Sequence, residues 1–416
     1  MEGGRTTLSI GRTPAMVACM EADFAVLGGG CAGLSLATAI AATAGPGRAP
    51  RIVIVEPRER YVRDRTWCMW PVEAQPFTAA IRHRWSRWEV RTPERTIIRG
   101  SEHLPYVHVA ADAFYEQALA RLRDRGVELH LGVRATSVTD EGDRVTIETS
   151  AGPLRARLAF DSRPAKPASA EGKTKTGSVD EVCLLQHFVG WEIKVDGAPF
   201  DPSTAILMDF AVPQDDGLHF LYVLPFARDR ALVEATYFSE STLPTATYEA
   251  RIRDYLVRRF AIRDYAIEFR EQGVIPMTTT PASPQPSPRV FDIGLRGGFA
   301  KPSTGYAFLA IQRYSQEMAA RLLRAGERPP RPPPARPARA VAMDRVFLSY
   351  LHRSPERGPD LFADLFERLP PDLLVRFLSD RASSRECLRV MSASPLSAMT
   401  REVFRSRARW MRPATR

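Results

Sequence analysis

Gly28, Gly30 and Gly33 stand at the spacing that a dinucleotide pyrophosphate demands, and Gly29 completes their turn. A run that is apolar from Phe24 to Leu27 leads into them and an Ala- and Leu-rich segment follows, so the stretch reads as strand, tight turn and helix. In that reading Gly28 makes the turn, Gly30 lets backbone approach the phosphates, and Gly33 lets the helix lie close against the strand. The phosphates are held by the free N–H groups of the helix's first turn. A glycine triplet alone is weak evidence. Here Arg51-Ile52-Val53-Ile54-Val55 supplies a second strand ending in Glu56, 23 residues past Gly33, where a carboxylate suits ribose hydroxyls. The arginine–aromatic group Arg63-Asp64-Arg65-Thr66-Trp67-Cys68-Met69-Trp70 reads as a loop lying on the same cofactor, with Arg65 near phosphate or ring.

The elements that must hold these groups can be followed in order. Residues 1–22 read as a loose extension, with Met16 or Met20 as alternative starts, and 23–163 as the first part of a nucleotide-binding domain. Within it, Asp112 is expected to cap a helix bearing Phe114, Ala118, Leu119 and Leu122 and closed by Gly126. Segments 127–133, 144–149 and 154–160 then predict a small antiparallel sheet. Residues 164–178 have linker composition. From 179 to 280 strand signals dominate, with a hairpin turn at Ala227-Arg228-Asp229-Arg230 and an amphipathic helix over 247–260. Residues 281–326 return to strand, turn and helix: Phe291-Asp292-Ile293-Gly294, then Gly297-Gly298 and Pro302-Ser303-Thr304-Gly305-Tyr306, then Phe308 to Leu323. The Pro/Arg-rich run 327–340 predicts a semi-extended linker poorly able to fold. A helical segment over 341–400 and a basic tail over 401–416 complete a mixed α/β chain.

Composition narrows the partners. At 44% hydrophobic and 25% charged residues the chain is globular, not disordered. A net charge of +10 invites an anionic partner, but no basic–aromatic motif of a nucleic-acid reader is present, so no nucleic acid is expected and an anionic membrane surface is. Residues 24–47 are uncharged and long enough to span a membrane, yet their glycines and Pro46 fit the strand–turn–helix reading better. The first 22 residues lack a continuous apolar signal core. The five cysteines are odd in number and form no CxxC pair, which predicts free thiols in a reducing cytoplasm and no metal site.

Separated stretches together resemble the lycopene cyclase family, flavoproteins of carotenoid biosynthesis. They are the Gly28–Gly33 turn, Asp64-Arg65-Thr66-Trp67-Cys68, Phe160-Asp161-Ser162-Arg163-Pro164, and Leu185-Gln186-His187-Phe188 with Gly190-Trp191. They continue through Leu207-Met208-Asp209-Phe210, Tyr222-Val223-Leu224-Pro225-Phe226, Leu232-Val233-Glu234 with Thr236, and Gly273-Val274-Ile275-Pro276-Met277-Thr278. Gly297-Gly298 and Lys301-Pro302-Ser303-Thr304-Gly305-Tyr306 complete the set, in order, over roughly 23–380. The resemblance implies a Rossmann-type FAD-binding domain of the hydroxylase-like flavoprotein kind, with an inserted antiparallel-sheet substrate domain and a C-terminal helical segment. It implies acid-catalysed cyclisation of the ψ-ends of lycopene to β-ionone rings, giving γ-carotene and β-carotene without net redox change. Reduced FAD is required, with NAD(P)H as its reductant, at a membrane surface on the cytoplasmic side. Oligomeric state is left open, as is the choice between β and ε rings.

The resemblance also assigns roles. Glu234 occupies the place of the first acid in the family's Phe-Leu-Glu-Glu-Thr motif and is the expected proton donor; the second acid is Ala235 here. On a strand, Leu232, Glu234 and Thr236 share one face. Tyr222, Phe226, Trp191 and Phe210 are candidates for steadying a carbocation, while Asp209 and His187 are secondary acid–base candidates beside their reading as ordinary core residues. The turn from Gly297 and Gly298 to Thr304 is expected at the ribityl or isoalloxazine end. Leu295 stands where many relatives place an Asp, so no ribityl-binding carboxylate is assigned. The alternative within the same fold is a flavin monooxygenase or reductase acting on an apolar substrate. Asp161-Ser162-Arg163 lacks the glycine that the hydroxylases place after the Asp.

Overall fold

β-branched runs alternate with Ala-rich helical stretches at the start of the chain, and they pair as parallel strands joined by a crossover helix. The computed structural model describes residues 19–44, 50–123, 125–164, 182–278, 280 and 283–393. β1 (Met20–Leu27), α1 (Cys31–Thr43) and β2 (Ile52–Glu56) form a βαβ unit, with Phe24–Leu27 beside Ile52–Val55. Every residue of β2 is buried, as a strand covered on both faces must be. β1 begins at Met20, buried opposite Leu154, three residues earlier than the expected boundary at 23.

β3 (Thr66–Met69), β4 (Ile81–Trp85), β5 (Arg87–Arg91), β6 (Thr96–Gly100) and β7 (Tyr106–Ala110) come next, and β7 runs directly into α2 (Ala111–Leu122). Asp112 lies inside the first turn of α2, whose cap is Ala110, so the expected N-cap is two residues late. β8 (Val127–Leu131), β9 (Ala135–Asp140), β10 (Val145–Thr149) and β11 (Gly152–Asp161) follow, and the first sheet runs β8-β2-β1-β11-β10-β9. The segment 127–133 therefore corrects the expectation: it is a parallel edge strand on β2, and the antiparallel meander is β9-β10-β11.

β12 (Cys183–Lys194), β13 (Thr204–Asp209), β14 (Leu218–Ala227), β15 (Arg230–Ser239), α3 (Thr245–Phe260) and β16 (Ala266–Thr278) build a second sheet. Its order is β16-β12-β15-β14-β13-β5-β6. Two strands from residues 87–100 thus join this sheet, although their sequence position lies within the expected nucleotide domain. β5 pairs with β13 in parallel, whereas the remaining pairs are antiparallel. Because side chains alternate along a strand, even-numbered residues of β12, β14 and β15 share a face with odd-numbered residues of β16. The opposite face, with Trp191, Val233, Tyr237 and Leu221, packs on Tyr248, Ile252 and Leu256 of α3.

β17 (Val290–Asp292) pairs in parallel with the end of β11, and α4 (Phe308–Ala325) lies on α1, where Gln312 Nε2 donates to Ser35 Oγ at 2.9 Å. α5 (Ala338–Arg353), α6 (Gly358–Arg368), α7 (Pro371–Leu378) and α8 (Ser384–Ala393) complete the described chain. Leu361, Phe362, Leu365 and Phe366 form one stripe of α6 and share a core with Leu218, Phe220, Leu232 and Phe238 of the second sheet. Each such side chain contributes about 1.5–3 kcal/mol on full burial. The Pro/Arg run is not the semi-extended spacer expected. α5 begins within it, and Arg336 is 5% exposed, bound to Asp344 and Asp380. Lys301 Nζ meets the same two carboxylates at 2.9 Å each.

Candidate active site

The glycine turn has the shape its sequence requires. Gly28 has φ +96°, and a Cβ on Gly33 would stand 2.0 Å from Gly28 O, so α1 rests directly on the turn. Ser162 Oγ donates to Leu27 O at 2.8 Å, which gives the Asp161-Ser162-Arg163 stretch a turn-holding role. α1 carries no side-chain cap and no acidic residue in its first turn, and the space beside Gly30 is open to 3.9 Å. An uncapped helix start with bare backbone in front of it fits a pyrophosphate. Glu56 is buried beside it; Oε2 accepts from Gly29 N at 2.6 Å, and Oε1 from Arg58 N at 2.9 Å.

Arg65 is exposed at the lead into β3, bonded to Asp64 O. The arginine that reaches the glycine turn is Arg58, whose Nη2 donates to Gly29 O at 3.2 Å. Gly297, Gly298 and Thr304 lie on the β17–α4 connection. A Cβ on Gly294 would be 2.8 Å from Ala32 Cβ, so that connection sits against the first turn of α1. Asp292 is engaged by Arg296 at 2.8 Å. At the other end of the connection, a Cβ on Gly305 would lie 2.3 Å from Gln186 Oε1 on β12. The second glycine turn thus links the nucleotide site to the second sheet.

On that sheet, in register across four strands, lie Glu271, Gly190, Glu234 and Tyr222. Glu234 is buried, and Thr236 Oγ1 donates to its Oε1 at 2.6 Å. Burial, then the negative charge of Glu271, push the Glu234 carboxyl well above the usual carboxylate range, against the pull of Thr236. Glu271 is raised to about 7 by its own burial, and Thr66, Arg63 and Arg65 act in the opposite sense. Its Oε1 is buried with no hydrogen-bond partner among the described residues. Glu271 was not singled out from the sequence. It lies two residues before the motif that begins at Gly273, and strand alternation would have put it on the same face.

A wall of aromatic rings completes the face. Tyr222 and Tyr106 share a hydrogen bond of 3.0 Å between their hydroxyls, and Tyr106 and Tyr306 one of 3.1 Å. Trp70 meets Tyr106 at 4.5 Å and Tyr306 at 5.7 Å between ring centroids. Burial drives all three phenols well above their ordinary range and the Cys68 thiol up to about 12, so these groups stay neutral. Cys68 and Tyr306 also line a small cavity of about 30 Å³ with Trp70, Phe308, Arg313 and Asp380.

Other expected contributors lie elsewhere. Trp191 is on the α3 face, under Arg253 and Arg270. Phe210 stacks on Phe362 in the core beneath α6. Asp209 accepts from Tyr255 Oη at 2.8 Å and pairs with Arg91. His187 is bonded to Ser239 at 2.7 Å and to Tyr248 at 2.5 Å, so its core reading holds. Phe226 is half-buried beside Trp85 and His108.

The family described as lycopene cyclase protein matches residues 23–404. A lycopene beta-cyclase of Paracoccus sp. is 31% identical over 261 residues, which are 58% of this chain and 64% of that protein, so the match spans less than two thirds of the relative's length. Among solved structures, a geranylgeranyl bacteriochlorophyll reductase-like protein of Thermoplasma acidophilum has a TM-score of 0.60 at 13% identity, covering 92% of this chain and 99% of that one. Aklavinone-11 hydroxylase, solved with FAD and aklavinone, has a TM-score of 0.54 at 17% identity, covering 74% of this chain and 64% of that one. At such identities the likeness shows fold, and the fold is that of the hydroxylase-type flavoproteins.

Proposed function

Because the chain belongs to the lycopene cyclase family, we propose that it cyclises the ψ-ends of lycopene to β-ionone rings, giving γ-carotene and β-carotene. The reaction is an isomerisation, an intramolecular lyase step. One observation carries the reading: Glu234 is a buried carboxyl whose proton affinity burial and the charge of Glu271 raise, on a face walled by aromatic rings.

Cyclisation begins when the Glu234 carboxyl protonates C2. The cation at C1 is captured by the C5=C6 bond, and loss of the C6 proton leaves the β-ring. A neutral carboxylic acid is a weak donor toward an alkene, so the site must lower the cost of the cation. Faces of Tyr222, Tyr106 and Trp70 contribute about 0.5–2 kcal/mol each to that. Water would trap the cation, and the burial of Glu234, Glu271 and Tyr106 keeps it away.

FAD is the proposed cofactor, held by Gly28, Gly29, Gly30 and Gly33 at the pyrophosphate, by Glu56 at the ribose, and by Gly297, Gly298 and Thr304 at the ring end. Arg65 adds positive charge near the site. When bound in its reduced form, FAD supplies electron density that favours a nearby cation, and NAD(P)H is the proposed reductant. The chain is proposed to work in the cytoplasm at a membrane surface, where its carotenoid substrate is dissolved. Its net charge of +10 supports this, and no described helix is long and apolar enough to cross a membrane.

Anaerobic incubation of lycopene-loaded vesicles with the protein and reduced FAD tests the proposal. The expected product has the mass of lycopene, separates from it by chromatography, and forms without stoichiometric loss of reductant. Oxygenated or hydrogenated product, with reductant consumed one for one, would instead establish the monooxygenase or reductase alternative.

A further inference from the structure

Four observations on the site face concern Glu271, to which the reading above gives no step. First, Glu271 and Glu234 flank Gly190 in register, so the residue between them on the sheet has no side chain of its own. The slot is narrow: a Cβ on Gly190 would already be 3.3 Å from Glu234 Cβ. Second, Glu271 is 8% exposed and its Oε1 has no hydrogen-bond partner among the described residues, so an acceptor atom is buried and open. Third, the environments differ. Thr66, Arg63 and Arg65 favour the ionised form of Glu271, whereas among the described residues the hydroxyl of Thr236 alone does so for Glu234. Fourth, other groups here are poor bases. Tyr222, Tyr106, Tyr306 and Cys68 are held neutral, Glu192 is tied to Arg63, and His187 and Asp209 are on the α3 side.

We infer that Glu271 is the proton acceptor of the cyclisation, the basic partner of Glu234 across Gly190. This rests on the cyclase reading. The Glu234 O–H bond breaks as C2–H forms, and the C5=C6 pair closes C1–C6 and leaves the charge on C5. The C6–H bond then breaks, its electron pair becomes the ring double bond, and the proton goes to a Glu271 oxygen. A proton passing from Glu271 back to Glu234 restores the starting state. No proton, electron or water is consumed, as an isomerisation requires. Two carboxyls whose surroundings push their proton affinities apart are the arrangement that separates an acid from a base.

Glu271→Gln tests the assignment, because it keeps the shape and removes the base. FAD content and melting temperature should be retained, while cyclised carotenoid forms at least about 100-fold more slowly. Wild-type rate should fall as pH drops through about 7, where Glu271 gains its proton, and this acid limb should be absent from the residual activity of Glu271→Gln. The groups facing Glu271 that could titrate are Cys68 and Tyr222, both pushed up by burial, and Glu234, raised well above the usual carboxylate range; Arg63 and Arg65 are the cationic side chains beside it. Wild-type speed in the variant, or a wild-type rate flat from about pH 5.5 to 8, would overturn the assignment. The second measurement needs no variant to fold. If wild-type protein makes no cyclised product, the cyclase reading itself fails; if it does and Glu271→Gln matches it, only this assignment fails.

Discussion

Two clusters of buried charge lie at opposite ends of one short loop. At Lys301 the cluster is complete: Asp344 takes Lys301, Ser303 and Arg336, while Asp380 takes Lys301 and Arg336. At Tyr306 the loop meets the other cluster through Tyr106 and Tyr222, and there two carboxyls face each other across a glycine with no cation among the described residues bonded to either. Burying ions is tolerable only when each is paired and hydrogen-bonded, and the first cluster meets that requirement. The second does not, and its shifted proton affinities are the consequence. Balance marks a structural joint between the Lys301 loop, the Pro/Arg run and the C-terminal helices. Imbalance marks the place where protons can move.

The widest separation of the two comes from removing one side chain in each. Glu234→Gln should lower cyclisation by about 10⁴-fold, the upper end for a general acid, with FAD binding unchanged. Product analysis and flavin absorbance on the same preparation check this, and a variant that still turns over would break the comparison at its centre. Lys301→Met should act oppositely. It leaves Asp344 and Asp380 short of a positive charge in a buried site, so unfolding in denaturant should become easier by about 3–5 kcal/mol. Turnover per folded molecule should change far less.

The clusters should also respond to pH with opposite signs. Burial would raise Asp380, but the Lys301 charge and Arg336 hold it down at about 2. Its folded affinity for protons is below the unfolded value near 3.9, so this stabilisation is present above about pH 4 and is lost as pH falls toward 2. Glu234 is shifted the other way. Its folded value lies above the unfolded one near 4.3, so stability declines as pH rises beyond that point. Urea unfolding across pH 4–8 should therefore show Glu234→Gln equal to wild type at the acid end and increasingly more stable toward pH 8. An advantage that shrinks with rising pH would contradict the burial of this carboxyl.

How much of this could be read from the chain depends on how far apart the partners lie. The glycine turn and Glu56 belong to one βαβ unit of short-range contacts, and their spacing carries the geometry. Glu234 and its face follow from period-two alternation, and the hairpin at Ala227-Arg228-Asp229-Arg230 closes β14 on β15 as its residues require. The entry of β5 and β6 into the second sheet was hidden, because β5 pairs with residues more than 100 positions away. Composition also misled at Arg336: an arginine among prolines looks solvated until Asp344 and Asp380 come together around it. Arg65 and Arg58 illustrate the same limit, since charge and proximity in sequence do not say which guanidinium turns inward. The tyrosine chain Tyr222–Tyr106–Tyr306 joins three elements, so each ring alone reads as plain core.

The finest test concerns Thr236, whose hydroxyl donates to Glu234. That bond favours the ionised carboxylate more than the neutral acid, so Thr236→Val should raise Glu234 still further above its ordinary range. A net hydrogen bond of about 0.5–1.5 kcal/mol corresponds to at most about a tenfold effect. With Glu234 raised well above the usual carboxylate range in either protein, the variant offers a weaker acid, and turnover near neutral pH should fall by less than about tenfold. At the alkaline end the sign reverses: loss of the Glu234 proton is postponed, and the falling limb of the rate profile moves to higher pH. Thr236 faces inward with its neighbours fully buried, and valine matches its shape, so any loss of stability should stay within the about 1–3 kcal/mol of a buried acceptor left unpaired. A limb that moves to lower pH would mean that Thr236 supports the neutral acid, and the contrast between a balanced joint and a protonated, unbalanced pair would then owe more to hydrogen bonding than to burial.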